Sequence, residues 1–223
     1  MMNVVIGYDR ANRMPAYTAA ESIMQHASKP VNFTFLHKDM LREYTRQQGS
    51  HDSTEFSNSR FLTPYLHDYS GWSLFVDNDI IVKHDIVELF ALADNRYSVL
   101  CVKHDYTPKH ERKFLNYTQY RYQYKNWSSV MLFNNQKCKK LSLDYVNTAE
   151  GLDLHQFKWL DSKDEIGSLP LEWNYLVDNG NQTTNTPKLI HYTDGGPWFP
   201  ETRACEYAAE WLNVYRTIND VDK

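Results

Sequence analysis

Short apolar runs that stop at a glycine or a carboxylate, separated by stretches of helical spacing, constrain this chain more than any other feature. Asn3 to Ile6 is rich in β-branched residues and halts at Gly7. From Met14 to His26, small and apolar residues recur at helical intervals, with Pro15 in the first turn, where its missing N–H costs little. Val31 to Leu36 alternates as a strand does. Ser73 to Val76 is apolar, breaks at Asp77-Asn78-Asp79 and resumes as Ile80 to Val82. Ile86 to Leu92 has helical spacing, and Tyr97 to Val102 reads as a strand. Strands alternating with helices imply βαβ units and a largely parallel sheet.

The rest of the chain is less regular and predicts a mixed sheet. Ser57 to Tyr69 reads as a helix that Pro64 kinks or divides. Ser129 to Phe133, Glu165 to Leu169, Trp173 to Val177 and Lys188 to Tyr192 read as strands. Helices are expected over Gln136 to Val146 and Asp153 to Leu160. Glu201 to Ile218 predicts an amphipathic helix with Ala204, Tyr207, Ala208, Trp211, Val214 and Tyr215 on one side. With no internal repeat or low-complexity linker, residues 1–223 read as one α/β domain.

The net charge of −4 and the lack of a long basic run give no footing for nucleic acid. Cys101, Cys138 and Cys205 are odd in number and far apart, which suits reduced thiols in a soluble, cytoplasmic protein. No window approaches a membrane span, so no membrane anchor is expected. Aromatic residues reach 14 %, enough to pack a core and also to line a cleft that stacks sugars or bases.

The strongest chemical signal is Asp77-Asn78-Asp79 at the end of an apolar strand. In an extended chain residues i and i+2 point the same way, so both carboxylates share one side. Two hard oxygen ligands there can hold Mn²⁺ or Mg²⁺ and leave coordination positions for phosphate oxygens. The same tripeptide also serves as an Asx-rich turn.

Ser59-Arg60-Phe61-Leu62-Thr63-Pro64 lies upstream of the pair, and His191-Tyr192-Thr193-Asp194-Gly195-Gly196-Pro197-Trp198 lies far downstream. In this order the chain resembles the GT-A glycosyltransferases, most closely glycosyltransferase family 8 and its relatives in phages and large viruses. The resemblance runs from Val4 to Trp198. It implies a Rossmann-like, mixed but mainly parallel sheet flanked by helices, and transfer of a sugar from a nucleotide-sugar donor, a UDP-sugar by family default. The acceptor would be a hydroxyl of a glycan or another molecule.

Residue by residue, the resemblance implies Asp77, Asp79 and His191 as metal ligands, with Asp77 and Asn78 also beside the donor. Gly195 and Gly196 would bring backbone amides to the diphosphate. The family often has a lysine where this chain has Gly196, and Arg60 is the expected replacement for its positive charge. Gly7, Tyr8 and Asp9 fall where the family binds uracil and ribose; the same three residues also suit a plain strand-to-helix turn. Ser128 and Ser129 stand where the family has Ala-Gly, with hydroxyls facing the donor sugar or simply opening a strand. Asp153 is the candidate for the hydroxyls near the reacting carbon, or a helix cap. Leu154 follows it where the family has Gln. A family-8-like reaction retains the anomeric configuration.

Tyr117, Tyr120, Tyr122 and Tyr124, with Arg121 and Lys125, suit an acceptor wall or a mobile lid, and equally a surface hairpin with exposed rings. Two other functions compete. A sugar-nucleotide nucleotidyltransferase would open with a glycine-rich loop, but Gly7 to Asn12 has one glycine. A non-catalytic binding module would keep the fold without turnover.

Overall fold

A computed structural model describes residues 1–49, 52–105, 123–179, 184 and 186–219. Tyr117, Tyr120, Arg121 and Tyr122 lie outside them. The strands are β1 (Met2–Gly7), β2 (Val31–Leu36), β3 (Trp72–Val76), β4 (Ile80–Val82), β5 (Val99–Cys101), β6 (Val130–Asn134), β7 (Ile166–Ser168), β8 (Tyr175–Leu176) and β9 (Leu189–His191). The helices are α1 (Met14–His26), α2 (Ile86–Phe90), α3 (Leu143–Thr148), α4 (Gly151–His155) and α5 (Ala208–Asn219).

Six strands form the main sheet in the order β2-β1-β3-β6-β5-β7. β1 runs parallel to β2 and β3, and β5 runs parallel to β7. β6 is antiparallel to both β3 and β5, so it alone runs against the other five strands. The carboxyl ends of those five therefore share one edge with the start of β6. Tyr8, His37, Asp77, Ser129 and the segment leading to His104 are all delivered there, at the edge where open α/β sheets hold their ligands.

The central strands are apolar throughout because both faces are covered. Val4, Ile6, Leu74 and Val76 pack on one face with Ala16, Ala19 and Ile23 of α1. Val5, Phe75, Met131 and Phe133 face the other way, against Phe56, Phe61, Val146 and Trp159. Each such side chain, fully buried, contributes about 1.5–3 kcal/mol.

A second sheet, β4-β9-β8, continues from the first through Asp77-Asn78-Asp79. The Asp77 amide still bonds to the Ser129 carbonyl in the line of the main sheet, while the Asp79 carbonyl accepts from Tyr192 beside β9. Ile80 and Val82 drop into the first core, and Ile81 joins Ile190, Tyr192 and Trp211 under α5. Ser22 of α1 accepts from the Val82 amide at 2.9 Å, fixing β4 on the helix.

Four helical expectations change, the first being Asp153 to Leu160, where the helix runs instead over Gly151–His155 and ends in turns around left-handed Phe157. Ser57 to Tyr69 holds two 3₁₀ turns, Ser59–Leu62 and Tyr65–His67, divided at Pro64 and closed by left-handed Asp68 and Tyr69. The helix expected over Gln136 to Val146 starts at Leu143, where Ser142 caps it. The terminal helix begins at Ala208, after left-handed Tyr207.

Candidate functional site

His191 ends β9 with its side chain 1 % exposed. Its Nδ1 lies 3.0 Å from Asn174 Oδ1. The orientation of the Asn174 amide follows from its other contacts, since Nδ2 faces the Ser129 hydroxyl at 2.9 Å and the Asn126 carbonyl at 3.4 Å. A carbonyl only accepts, so Oδ1 must face His191 and accept from a protonated Nδ1. In the neutral ring, Nε2 then carries a lone pair.

That Nε2 is buried and makes no hydrogen bond among the described residues. It lies 3.3 Å from Asp79 Oδ1 and 4.0 Å from Asp77 Oδ2. A lone pair facing two carboxylates is repulsive unless a proton or a metal cation lies between them. One ligand atom from each of Asp77, Asp79 and His191 falls within 4.8 Å of the others. Two carboxylate oxygens and an imidazole nitrogen on one side form a group able to hold a divalent metal ion.

Arg60 stands behind Asp77. Its Nη1 lies 2.7 Å from Asp77 Oδ1 and donates to the Ser128 carbonyl at 2.9 Å, while Nε donates to the Ser57 carbonyl at 3.0 Å. The guanidinium lies over the Phe56 and Phe75 rings, 5.2 and 5.1 Å from their centroids. Arg60 is thus buried and fixed by the fold, and it balances one of the two carboxylates.

Ser128 and Ser129 both touch this assembly. The Ser128 hydroxyl is 2.7 Å from His155 Nδ1. Burial first, and then the Arg60 charge, pushes the His155 imidazole down to about 3. The Ser129 hydroxyl donates to the Asn126 carbonyl at 2.6 Å, completing a chain from Asn126 through Ser129 and Asn174 to His191.

The remaining sequence candidates fall into two groups. Tyr8 lies on the same edge, its ring 5.1 Å from His37 and 6.2 Å from Tyr17. A hydrogen bond with Tyr17, and then burial, raises its pKa. Asp9 caps the turn Arg10–Asn12 through the Ala11 amide and reaches the Glu55 amide at 3.3 Å. The others are turned to structural contacts. A Cβ on Gly7 would lie 2.5 Å from the Phe56 ring, so its missing side chain makes room for Phe56. Asn78 is buried and donates to the Asn12 carbonyl at 3.2 Å. Gly195 has φ +111, and a Cβ on Gly196 would meet the Trp198 ring at 2.1 Å. Asp153 pairs with Lys158 at 2.6 Å on the surface of α4.

Sequence reading passed over Asn174, His155 and His104. Asn174 lies in the stretch Trp173 to Val177 read as a strand, and no periodicity marks it as the partner of His191. His104 follows β5 and is 9 % exposed, and its Nε2 is buried without a partner among the described residues. Burial, with nearby His191, pushes its imidazole down to about 3.

No protein-family model matches the chain. Protein CDI of Arabidopsis thaliana is 43 % identical over 229 residues, which take in 99 % of this chain and 88 % of that protein. Among solved structures, the bifunctional glycosyltransferase WbbM superposes with a TM-score of 0.66 at 18 % identity. That match covers 96 % of this chain, which spans only 49 % of the WbbM chain. The galactosyltransferase LgtC, solved with donor and acceptor sugar analogues, has a TM-score of 0.58 at 12 % identity and covers 97 % of this chain and 96 % of its own. A glycosyltransferase for the major capsid of PBCV-1 has a TM-score of 0.54 at 12 % identity, with 96 % and 98 % covered. With a mixed sheet that carries an Asp-x-Asp segment and a histidine at its ligand-binding edge, the chain has the GT-A fold of the glycosyltransferases, and it belongs to the family of Protein CDI.

Proposed function

We propose that this chain is a metal-dependent glycosyltransferase that moves a sugar from a UDP-sugar to a hydroxyl of a glycan or other acceptor. The observation that carries this reading is the buried His191 Nε2, turned by the Asn174 contact to face Asp77 and Asp79. Asp77, Asp79 and His191 would hold Mn²⁺ or Mg²⁺. When bound, the ion offsets the negative charge that builds on the departing diphosphate.

The protein's own groups do the rest. Asn174 holds His191 in the ligating tautomer, as outer partners of metal-bound histidines do. Arg60 fixes Asp77 and adds positive potential near the leaving group. Tyr8 and Asp9 receive the base and ribose, Ser128 and Ser129 shape the site beneath the sugar, and the backbone at Gly195 and Gly196 flanks the diphosphate. The bond from the anomeric carbon to the diphosphate oxygen breaks, the acceptor oxygen bonds to that carbon, and the acceptor's proton passes to the departing diphosphate on the same face. Asp153 exchanges its weak surface pairing with Lys158 for hydroxyls near the reacting carbon, and the anomeric configuration is retained, as in family 8.

Among the described residues no helix is long and apolar enough to cross a membrane. Cys101, Cys138 and Cys205 are free thiols. Burial pushes Cys101 up to about 12 and Cys205 to about 11, which fits inert thiols in the cytoplasm.

The test is to incubate the purified chain with a panel of sugar nucleotides and Mn²⁺ and to measure released nucleoside diphosphate. Release from at least one UDP-sugar, abolished by chelator, is expected. A folded chain that releases nothing with either Mn²⁺ or Mg²⁺ contradicts the reading.

A further inference from the structure

His104 is a buried polar side chain that the reading above leaves without work. Its Nε2 has no hydrogen-bond partner among the described residues, although an unsatisfied buried polar atom is costly. Its place is fixed from both sides: its amide donates to the Val102 carbonyl at 3.1 Å, and its carbonyl accepts from Trp127 Nε1 at 2.8 Å. The ring lies near His191. Asn126 Nδ2, one residue before Trp127, is a second buried donor without a partner among the described residues. Asn126 has left-handed backbone, φ 65, and its carbonyl already accepts from Ser129 and Asn174.

The strand order says what these groups face. Along the ligand edge, Tyr8 and His37 follow β1 and β2, the carboxylate pair follows β3, and Asn126 and His104 stand at β6 and β5. A donor laid along that edge, with its base by Tyr8 and its diphosphate by Asp77 and Asp79, has its sugar left for the β6–β5 side. We infer that His104, together with Asn126, hydrogen-bonds hydroxyls of the donor's sugar ring, an inference that rests on the UDP-sugar reading above. A sugar hydroxyl both donates and accepts, so it suits either tautomer of the His104 ring and the Asn126 amide alike.

The test is titration calorimetry of UDP, UDP-glucose, UDP-galactose and UDP-N-acetylglucosamine into the chain with Mn²⁺. For the sugar nucleotide that the unaltered chain binds most tightly, His104→Ala should weaken affinity about tenfold and leave UDP within about twofold. His104→Gln, which places an amide near the same point, should recover most of the loss. If His104→Ala fails to fold, judged by its thermal midpoint, Asn126→Ala carries the same comparison between UDP and UDP-sugar. Equal weakening of UDP and UDP-sugar, or no change in either, overturns the inference and leaves the donor reading standing. If the unaltered chain binds none of the four ligands with Mn²⁺, the donor reading fails and takes the inference with it.

Discussion

An imidazole that donates through one nitrogen leaves the other to a proton or a metal, and in His191 that second nitrogen faces two carboxylates. The tautomer is set at one remove, by Asn174, whose amide is itself held by Ser129 and the Asn126 carbonyl. Replacing Asn174 by Ala should therefore cut Mn²⁺ affinity by about 10- to 100-fold, the usual scale for outer partners of metal-bound histidines. Titration of Mn²⁺ in the presence of UDP reads this directly, and unchanged affinity would mean that the tautomer needs no such support. Arg60 calls for a different comparison. Because it is buried, stacked on two rings and bonded to two carbonyls, Arg60→Ala should lose stability as well as turnover. A denaturation curve beside the rate separates the two effects. Unchanged stability would show that its ion pair and ring contacts contribute little to the fold.

Elements were legible in proportion to their regularity. α1, β2 and β4 span the residues expected of them because periodicity and burial agree there. Ser57 to Tyr69 misled because its apolar spacing is helical, while Pro64 and the left-handed Asp68 and Tyr69 cut it into 3₁₀ turns. Helical spacing at Gln136 to Val146 likewise hid the cap at Ser142. The Asp77, Asp79 and His191 group was visible because strand ends and a motif order mark it. Asn174 and His155 were not, since a side-chain hydrogen bond across 17 or 27 residues leaves no periodic trace, and His104 sits just past a strand end with nothing in its spacing to mark it. Gly196 was read as a place for phosphate, yet its missing Cβ also makes room for Trp198. Gly196→Ala should destabilise the chain by about 1–3 kcal/mol, the usual cost of overpacking. Urea denaturation tests it, and an unshifted midpoint would show that the Trp198 ring moves aside freely.

At the scale of the whole molecule, two imidazoles are kept neutral inside the fold. His104 and His155 both have native pKa values pushed down to about 3 from the ordinary 6.5, chiefly by burial. The unfolded chain therefore binds protons that the native chain refuses. The stability these residues contribute is complete above about pH 6.5 and is lost as pH falls toward about 3. The urea midpoint should fall between pH 7 and 4, and a His104→Gln, His155→Gln double variant should show a shallower fall; an equal slope would contradict it. The two sheets meet at Asp77-Asn78-Asp79, so the proposed metal site is also the seam between them, and binding there should stabilise the whole chain by mass action. The central claim is that this seam holds the divalent ion on which the donor diphosphate rests. Calorimetry of UDP binding, with Mn²⁺ and then with chelator, for the unaltered chain and for Asp79→Ala, tests it most directly. The account predicts much tighter UDP binding with Mn²⁺ and the loss of that difference in Asp79→Ala; equal affinity with and without metal in the unaltered chain would contradict it.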